Sequence, residues 1–276
     1  MSFEPDAIRA APSVPRGPHS LTLLGQIWFR PGLALRNVVN GPGWLWLLPM
    51  ALAIALTLAR VFAGAPLETA ARAAELQAAH DAQLQEMPAE YRESLPPEEL
   101  QAPSPAAALI VGPPLLAGLG GILLGWLVRA ALLHVSSLAL GGRQGFGSLY
   151  RASAWASFPL ILRDAVQAAY MLITHELIRG PGLSGLLTAA GAGQTQGVAS
   201  PVAVGSSPGV GSAIAGVVLG RIDLYTLWYL GLLTAAVVVA GRLPRGKAIV
   251  VVAIYALLSL ATGLGGTLVL GMTGGF

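Results

Sequence analysis

Apolar residues run in blocks along this chain, at 44–62, 114–140, 152–178, 224–240 and 247–272. About 20 apolar residues make one helical crossing of a bilayer. Backbone exposed to lipid must close its own hydrogen bonds, which leaves the helix as the form for each block. The pattern predicts an all-α membrane protein, a bundle of five transmembrane helices. Several blocks exceed the minimum length, so tilt or an interfacial extension is expected rather than any specific angle.

The polar segments between the blocks differ in character. Residues 1–19 are broken by Pro5, Pro12, Pro15 and Pro18 and predict a disordered cytosolic tail. Residues 20–43 turn amphipathic, with Leu21, Leu24, Trp28 and Leu35 set against Gln26, Arg30, Arg36 and Asn37. Ser20 is a candidate cap and Pro31 bends or ends the first piece. This segment predicts an interfacial amphipathic helix anchored by Trp28, Arg30, Pro31 and Arg36; a partner-binding arm is the open alternative. Residues 44–276 then form the transmembrane domain. Its first outer loop, 64–105, carries eight acidic residues, with a helix favoured at 67–87 and prolines breaking 88–105. Its second, 179–221, is rich in Gly, Ser, Ala and Thr and reads as a loop, with short helices at 183–190 and 210–219.

Charge gives a direction. Basic residues gather before the first span (Arg9, Arg16, Arg30, Arg36), between the second and third (Arg143, Arg151) and between the fourth and fifth (Arg242, Arg245, Lys247). All three segments fall on one side of a five-span weave. The opposite side holds Arg72, Arg92, Arg179 and Arg221. The positive-inside bias therefore puts the N-terminus in the cytoplasm and the C-terminus outside. A mean hydropathy of +0.67 with 11% charged residues agrees with a membrane protein. The pI near 9.6 reflects these loops, which orient the chain and meet anionic lipid headgroups; nucleic acid is not expected as a partner. Cysteine is absent, which removes disulfides and thiolate chemistry. The opening residues lack a basic start and apolar core, so the first span is expected to stay as an anchor.

Three motif matches fail on context. Gly241 to Lys247 copies the spacing of a phosphate loop, but Ala248 stands where Ser or Thr must hold magnesium, and no strand precedes it. No nucleotide is expected. Gly182-Leu183-Ser184-Gly185 resembles the serine motif of rhomboid proteases, yet it lies in an outer loop and no histidine follows Ser184. His175-Glu176 lacks a second histidine four residues on, where Arg179 stands. The four histidines, His19, His80, His134 and His175, are too scattered for a three-ligand metal site. No catalytic residue, cofactor or metal is expected, and His134 and His175 read as interfacial or packed.

Ionisable residues inside the spans say more. Arg129 lies eleven residues before Leu140, and Asp164 twelve after Ala152. At 1.5 Å per residue both sit roughly 16–18 Å deep. An Arg129–Asp164 pair is expected, with Arg163 as competitor or second partner, serving either to pin helix register or to do transport work. Ala117, Gly121, Gly125 and Arg129 are spaced by four, a small-residue stripe that would let the third span approach the second. Asp223 is placed to cap the fourth span, where Tyr225, Trp228 and Tyr229 form an aromatic belt.

These residues resemble the Yip1-domain membrane proteins in their bacterial form. Four stretches carry the likeness: "LGQIWFRPGLALRN" at 24–37, "LALGGRQGFGSLYRASAWASFP" at 138–159, "DLYTLW" at 223–228, and Lys247-Ala248 before the last span. The match runs over residues 20–272. The resemblance implies a five-helix bundle with a cytosolic N-terminus and supplies no catalytic residues. Eukaryotic members act with Rab GTPases, but the Asp-Leu-Tyr-Gly-Pro element they carry before the first span is missing here, so that partnership is not carried over. For some bacterial relatives the resemblance implies company with ABC-type efflux transporters of the macrolide-exporter kind.

The leading expectation is a non-enzymatic scaffold or accessory subunit in the bacterial cytoplasmic membrane, joined to a membrane-protein partner or to itself. The alternative is a small transporter or channel using Arg129, Arg163 and Asp164.

Overall fold

A computed structural model describes residues 20–93, 96, 104, 107–178 and 218–273. Every regular element among them is helical: α1 (Ser20–Phe29), α2 (Pro31–Asn40), a 3-10 turn (Gly43–Trp46), α3 (Leu47–Glu86), α4 (Ala89–Glu93), α5 (Ala107–Ala139), α6 (Phe146–Ala156), α7 (Phe158–Thr174), α8 (Leu224–Gly241) and α9 (Arg245–Thr273). The tail at 1–19, the short helices expected at 183–190 and most of 210–219, and Ser184 lie outside the described residues.

Among the described residues, four helices are long and apolar enough to cross a membrane: Gly43–Glu86, Ile110–Ala139, Leu224–Gly241 and Arg245–Thr262. The continuous span expected at 152–178 is instead two helices. Ser157 turns its N–H back to the Ala154 carbonyl at 3.2 Å, and Pro159 opens α7 with no N–H to give. The resulting α7 has 17 residues and carries Arg163 and Asp164.

The first span also departs from expectation. Its helix does not stop at the outer boundary but runs 40 residues, about 60 Å, through Pro66 and into the acidic segment. That is twice the thickness of a bilayer's hydrocarbon core, about 30 Å. The polar half, with Glu68, Arg72, Glu75 and Asp81, stands beyond the apolar one.

The interfacial segment at 20–43, where Pro31 was expected to bend or end the first piece, is a pair of ten-residue helices, with Arg30 between them and Pro31 opening the second. An Asn37 side-chain N–H donates to Gln26 at 3.0 Å and ties them together. Leu23, Ile27, Leu35 and Val38 are fully buried in the same cluster as Trp155, Leu233 and Val237. The apolar face of this arm is therefore filled by α6 and α8. Trp28 lies 4.6 Å from Trp228 and 6.1 Å from Phe158, centroid to centroid. Arg151 on α6 donates to the Val39 and Gly41 carbonyls at 3.1 and 3.0 Å, placing a cation on the C-terminal end of α2.

A second, smaller cluster joins α3, α5, α6 and α7 through Ala53, Ile122, Trp126, Ala154 and Ile161. On α5 the inward positions are Ile122, Trp126, Arg129, Ala130 and Leu133, a helical repeat of three and four. α5 ends in a Schellman turn: Gly142 N–H reaches the Ser137 carbonyl, Gly141 N–H reaches Leu138, and Gly141 has φ +92°.

Candidate functional site

The break between α6 and α7 creates an acceptor inside the bundle. Because the Ser157 N–H turns back to Ala154, the Ser153 carbonyl loses its usual helical donor. Two side chains replace it: the Ser157 hydroxyl at 3.2 Å and an Arg129 N–H, from Nη2, also at 3.2 Å. The other arm of the guanidinium, Nη1, donates to the Tyr229 hydroxyl at 3.1 Å, and that hydroxyl donates to Tyr255 at 3.0 Å. Arg129 is 5% exposed. Its guanidinium carbon sits 5.3 Å from the Trp126 ring centroid and 5.6 Å from that of Tyr229, within range of cation–π attraction. A carbonyl, a hydroxyl and two ring faces hold the charge, with no carboxylate among its described partners.

Asp164 is therefore not the partner of Arg129, and the expected pair is corrected. Arg60 of α3 approaches Asp164 at 3.5 Å and the Thr57 hydroxyl donates to it at 3.4 Å. The reason is helix order: α3 packs against both α5 and α7, so sequence-adjacent spans are not the ones that share these charges. Thr57 also faces Gly118, where an added Cβ would lie 2.6 Å from its methyl carbon. Gly118 is eleven residues from Arg129, about 16 Å along the helix. Arg163, next to Asp164, turns the other way and meets Asp223 at 3.2 Å.

Asp223 caps α8 as expected, accepting the Thr226 N–H at 2.6 Å. Burial pushes its carboxyl up, but the hydrogen bonds from Thr226 and the Arg163 guanidinium outweigh that and hold it below the usual carboxylate range.

The small-residue stripe is also corrected. Ala117, Gly121 and Gly125 face out of the bundle, and no atom lies within 4 Å of a Cβ built on Gly121 or Gly125. The close helix approach is one position along, at Gly118. In the aromatic belt Tyr229 is an interior residue, 4% exposed, and Trp228 packs on Trp28. On the arm, Trp28 is 40% exposed, Arg30 and Arg36 are exposed, and Pro31 opens α2. His134 stands edge-on to Phe146 at 5.8 Å, and His175 ends α7 in the left-handed region, φ 55°. Lys247, the last residue of the stretch with phosphate-loop spacing, lies in the first turn of α9, donates to the Leu140 carbonyl at 2.8 Å and so caps α5.

A cavity of about 550 Å³ opens between α7, α8 and α9. Arg60, Arg163 and Arg221 give it a cationic side, and Tyr229 and Tyr255 connect its wall to Arg129.

Sequence reasoning missed Arg60, Ser153 and Tyr255, and took Tyr229 for a belt residue when it is a partner of Arg129. For Arg60 the signal was present, a charge inside an apolar block, two residues before its end. Ser153 matters through its carbonyl, and only the Ser157–Pro159 break announces that.

Apolar helices of membrane-spanning length, packed around a buried arginine, define a multi-pass membrane helix bundle. A family model for the Yip1 domain matches residues 25–266. The chain belongs to the Yip1-domain family. No curated protein and no solved structure matches it.

Proposed function

We propose that this chain is a non-enzymatic scaffold or accessory subunit of a membrane-protein complex. In this reading α6 and α7 together make a fifth crossing, the N-terminus is cytoplasmic and the C-terminus outside. The membrane is the bacterial cytoplasmic one, and an ABC-type efflux transporter is the partner to look for first. The observation that carries the reading is how the interior charges are used. Arg129, Asp164 and Arg163 are each engaged by side chains or carbonyls of the same chain. Meanwhile α5 turns Ala117, Gly121 and Gly125 outward beside exposed Leu116, Leu124 and Val128. Small residues on an outward face let another helix approach closely in lipid. Tagging the C-terminus, extracting in mild detergent at native expression and identifying co-purifying chains tests this. A membrane protein recovered in fixed stoichiometry is the expected result. A lone homogeneous protein, stable without partners, would contradict an obligate subunit.

A second reading has one observation in its favour. The cavity beside Arg163 connects through Tyr255 and Tyr229 to Arg129, a polar route in an apolar bundle. A transporter or channel would use it. Reconstituted Arg163→Gln protein that keeps its fold and its partner but loses a flux would favour that reading over the scaffold.

A further inference from the structure

The arginine-rich end of the bundle holds a cavity of about 440 Å³ that none of the preceding roles uses. Three elements supply its charge: Arg36 from α2, Arg143 from the turn after α5, and Arg242 from the end of α8. No acidic residue occurs at 7–67, 100–163 or 224–276, so the segments that build the cavity contain no carboxylate. Arg242 points its side chain there from a left-handed backbone, φ 52°.

Two further features point to an anion. The first is the start of α6, an eleven-residue helix whose N-cap is Gly145 and which has no side-chain cap. The Ser148 hydroxyl, three residues on, donates to the Gly145 carbonyl at 2.7 Å, so it does not take up the opening N–H groups. Gly145 and Ser148 both line the cavity, and a Cβ on Gly145 or Gly147 would meet open space. A helix start presents N–H groups and a partial positive charge to an anion. The second is Gln144, which is nine-tenths buried and lines the same cavity. Among the described residues neither its amide nitrogen nor its oxygen has a partner. The oxygen lies toward Gly142 and Gly241, where added Cβ atoms would approach it at 2.6 and 3.6 Å. That leaves the NH₂ as an unused buried donor, which native interiors rarely tolerate. Val39, Val238 and Val239 form an apolar wall on the same space.

We propose that this cavity is a binding site for a phosphate group, carried by an anionic lipid headgroup or by a free phosphate. Three guanidiniums and the α6 N–H groups supply donors and no competing acid, and the buried Gln144 NH₂ joins them by a rotation of its side chain. The valine wall suits the glycerol and acyl part of a lipid.

The test uses the full chain, delipidated in detergent, with native mass spectrometry as readout. The probes are a short-chain phosphatidic acid, the matching diacylglycerol, and inorganic phosphate as competitor. Phosphatidic acid should bind at least tenfold tighter than diacylglycerol. Arg143→Gln should weaken that binding about fivefold, and Gln144→Leu about threefold with no change of charge. Arg245→Gln removes one charge from the same end but outside the cavity, and should stay within twofold. Competition by millimolar inorganic phosphate assigns the site to free phosphate. Its failure, with the variant losses intact, assigns the lipid headgroup. Equal losses for Arg143→Gln and Arg245→Gln with Gln144→Leu unchanged, or equal binding of diacylglycerol, overturns the proposal.

Discussion

Changing Tyr229 to Phe should do more harm than its size implies, and removing Arg129 as well should repair part of it. The Tyr229 hydroxyl accepts from Arg129 at 3.1 Å and donates to Tyr255 at 3.0 Å. Without it, one arm of a guanidinium that is 5% exposed loses its acceptor, while Nε already has no partner among the described residues. A buried charged donor left unpaired costs about 1.5–3 kcal/mol. Arg129→Met takes that donor away. Ser153 then keeps the Ser157 hydroxyl at 3.2 Å, and Tyr229 keeps Tyr255. Alone, Arg129→Met should cost within about 1 kcal/mol, because two charge-assisted bonds are lost while the desolvation cost of a buried charge is relieved. The double variant should therefore be more stable than Tyr229→Phe by about 1 kcal/mol. In Tm that is about 2–4 °C for a chain of this size. Reversible unfolding in mixed micelles, followed by helical circular dichroism, measures all three variants. Costs that add to within about 0.5 kcal/mol would refute the coupling.

Three other outcomes follow from local geometry. Gly118→Val should destabilise by about 1–3 kcal/mol, since its side chain would push into Thr57; the outward Gly121→Val should cost less than half as much in the same unfolding assay. Gly141→Ala should lose about 1–2 kcal/mol because φ +92° suits only glycine, and faster amide exchange near the end of α5 should accompany the loss. Asp223 has a lowered folded pKa, so its contribution is full above the unfolded value near 3.9 and fades as pH falls through that value to the folded one. Asp223→Ala should cost about 1 kcal/mol at neutral pH, and its penalty should shrink below about pH 4 when variant and parent are unfolded side by side.

The membrane class and the apolar helices were legible because length and apolarity are local properties of the chain. The Asp223 cap was legible for the same reason. What sequence did not convey was which helix stands beside which. Arg129 and Asp164 were paired by counting depth along consecutive spans, but α3 lies against both helices and its Arg60 takes Asp164. The stripe of Ala117, Gly121 and Gly125 has the right composition for packing, yet Gly118 packs and the stripe faces outward. A four-residue spacing marks a helix face without saying what the face meets. The amphipathic arm shows the same limit: of the face read as Leu21, Leu24, Trp28 and Leu35, Leu35 is fully buried, while Leu23, Ile27 and Val38 supply the rest of the side that α6 and α8 fill. Ser157-Phe158-Pro159 was a helix-break signal inside an apolar block, and hydropathy outvoted it.

The central claim is that the interior charges hold the bundle together while the outward face of α5 meets another membrane chain. A photocrosslinking residue placed at Gly121, with a control at the inward Ile122, tests this in intact cells. The account predicts crosslinks from position 121 to a second membrane protein, and none to another chain from position 122. Crosslinks from position 121 to lipid alone would contradict it.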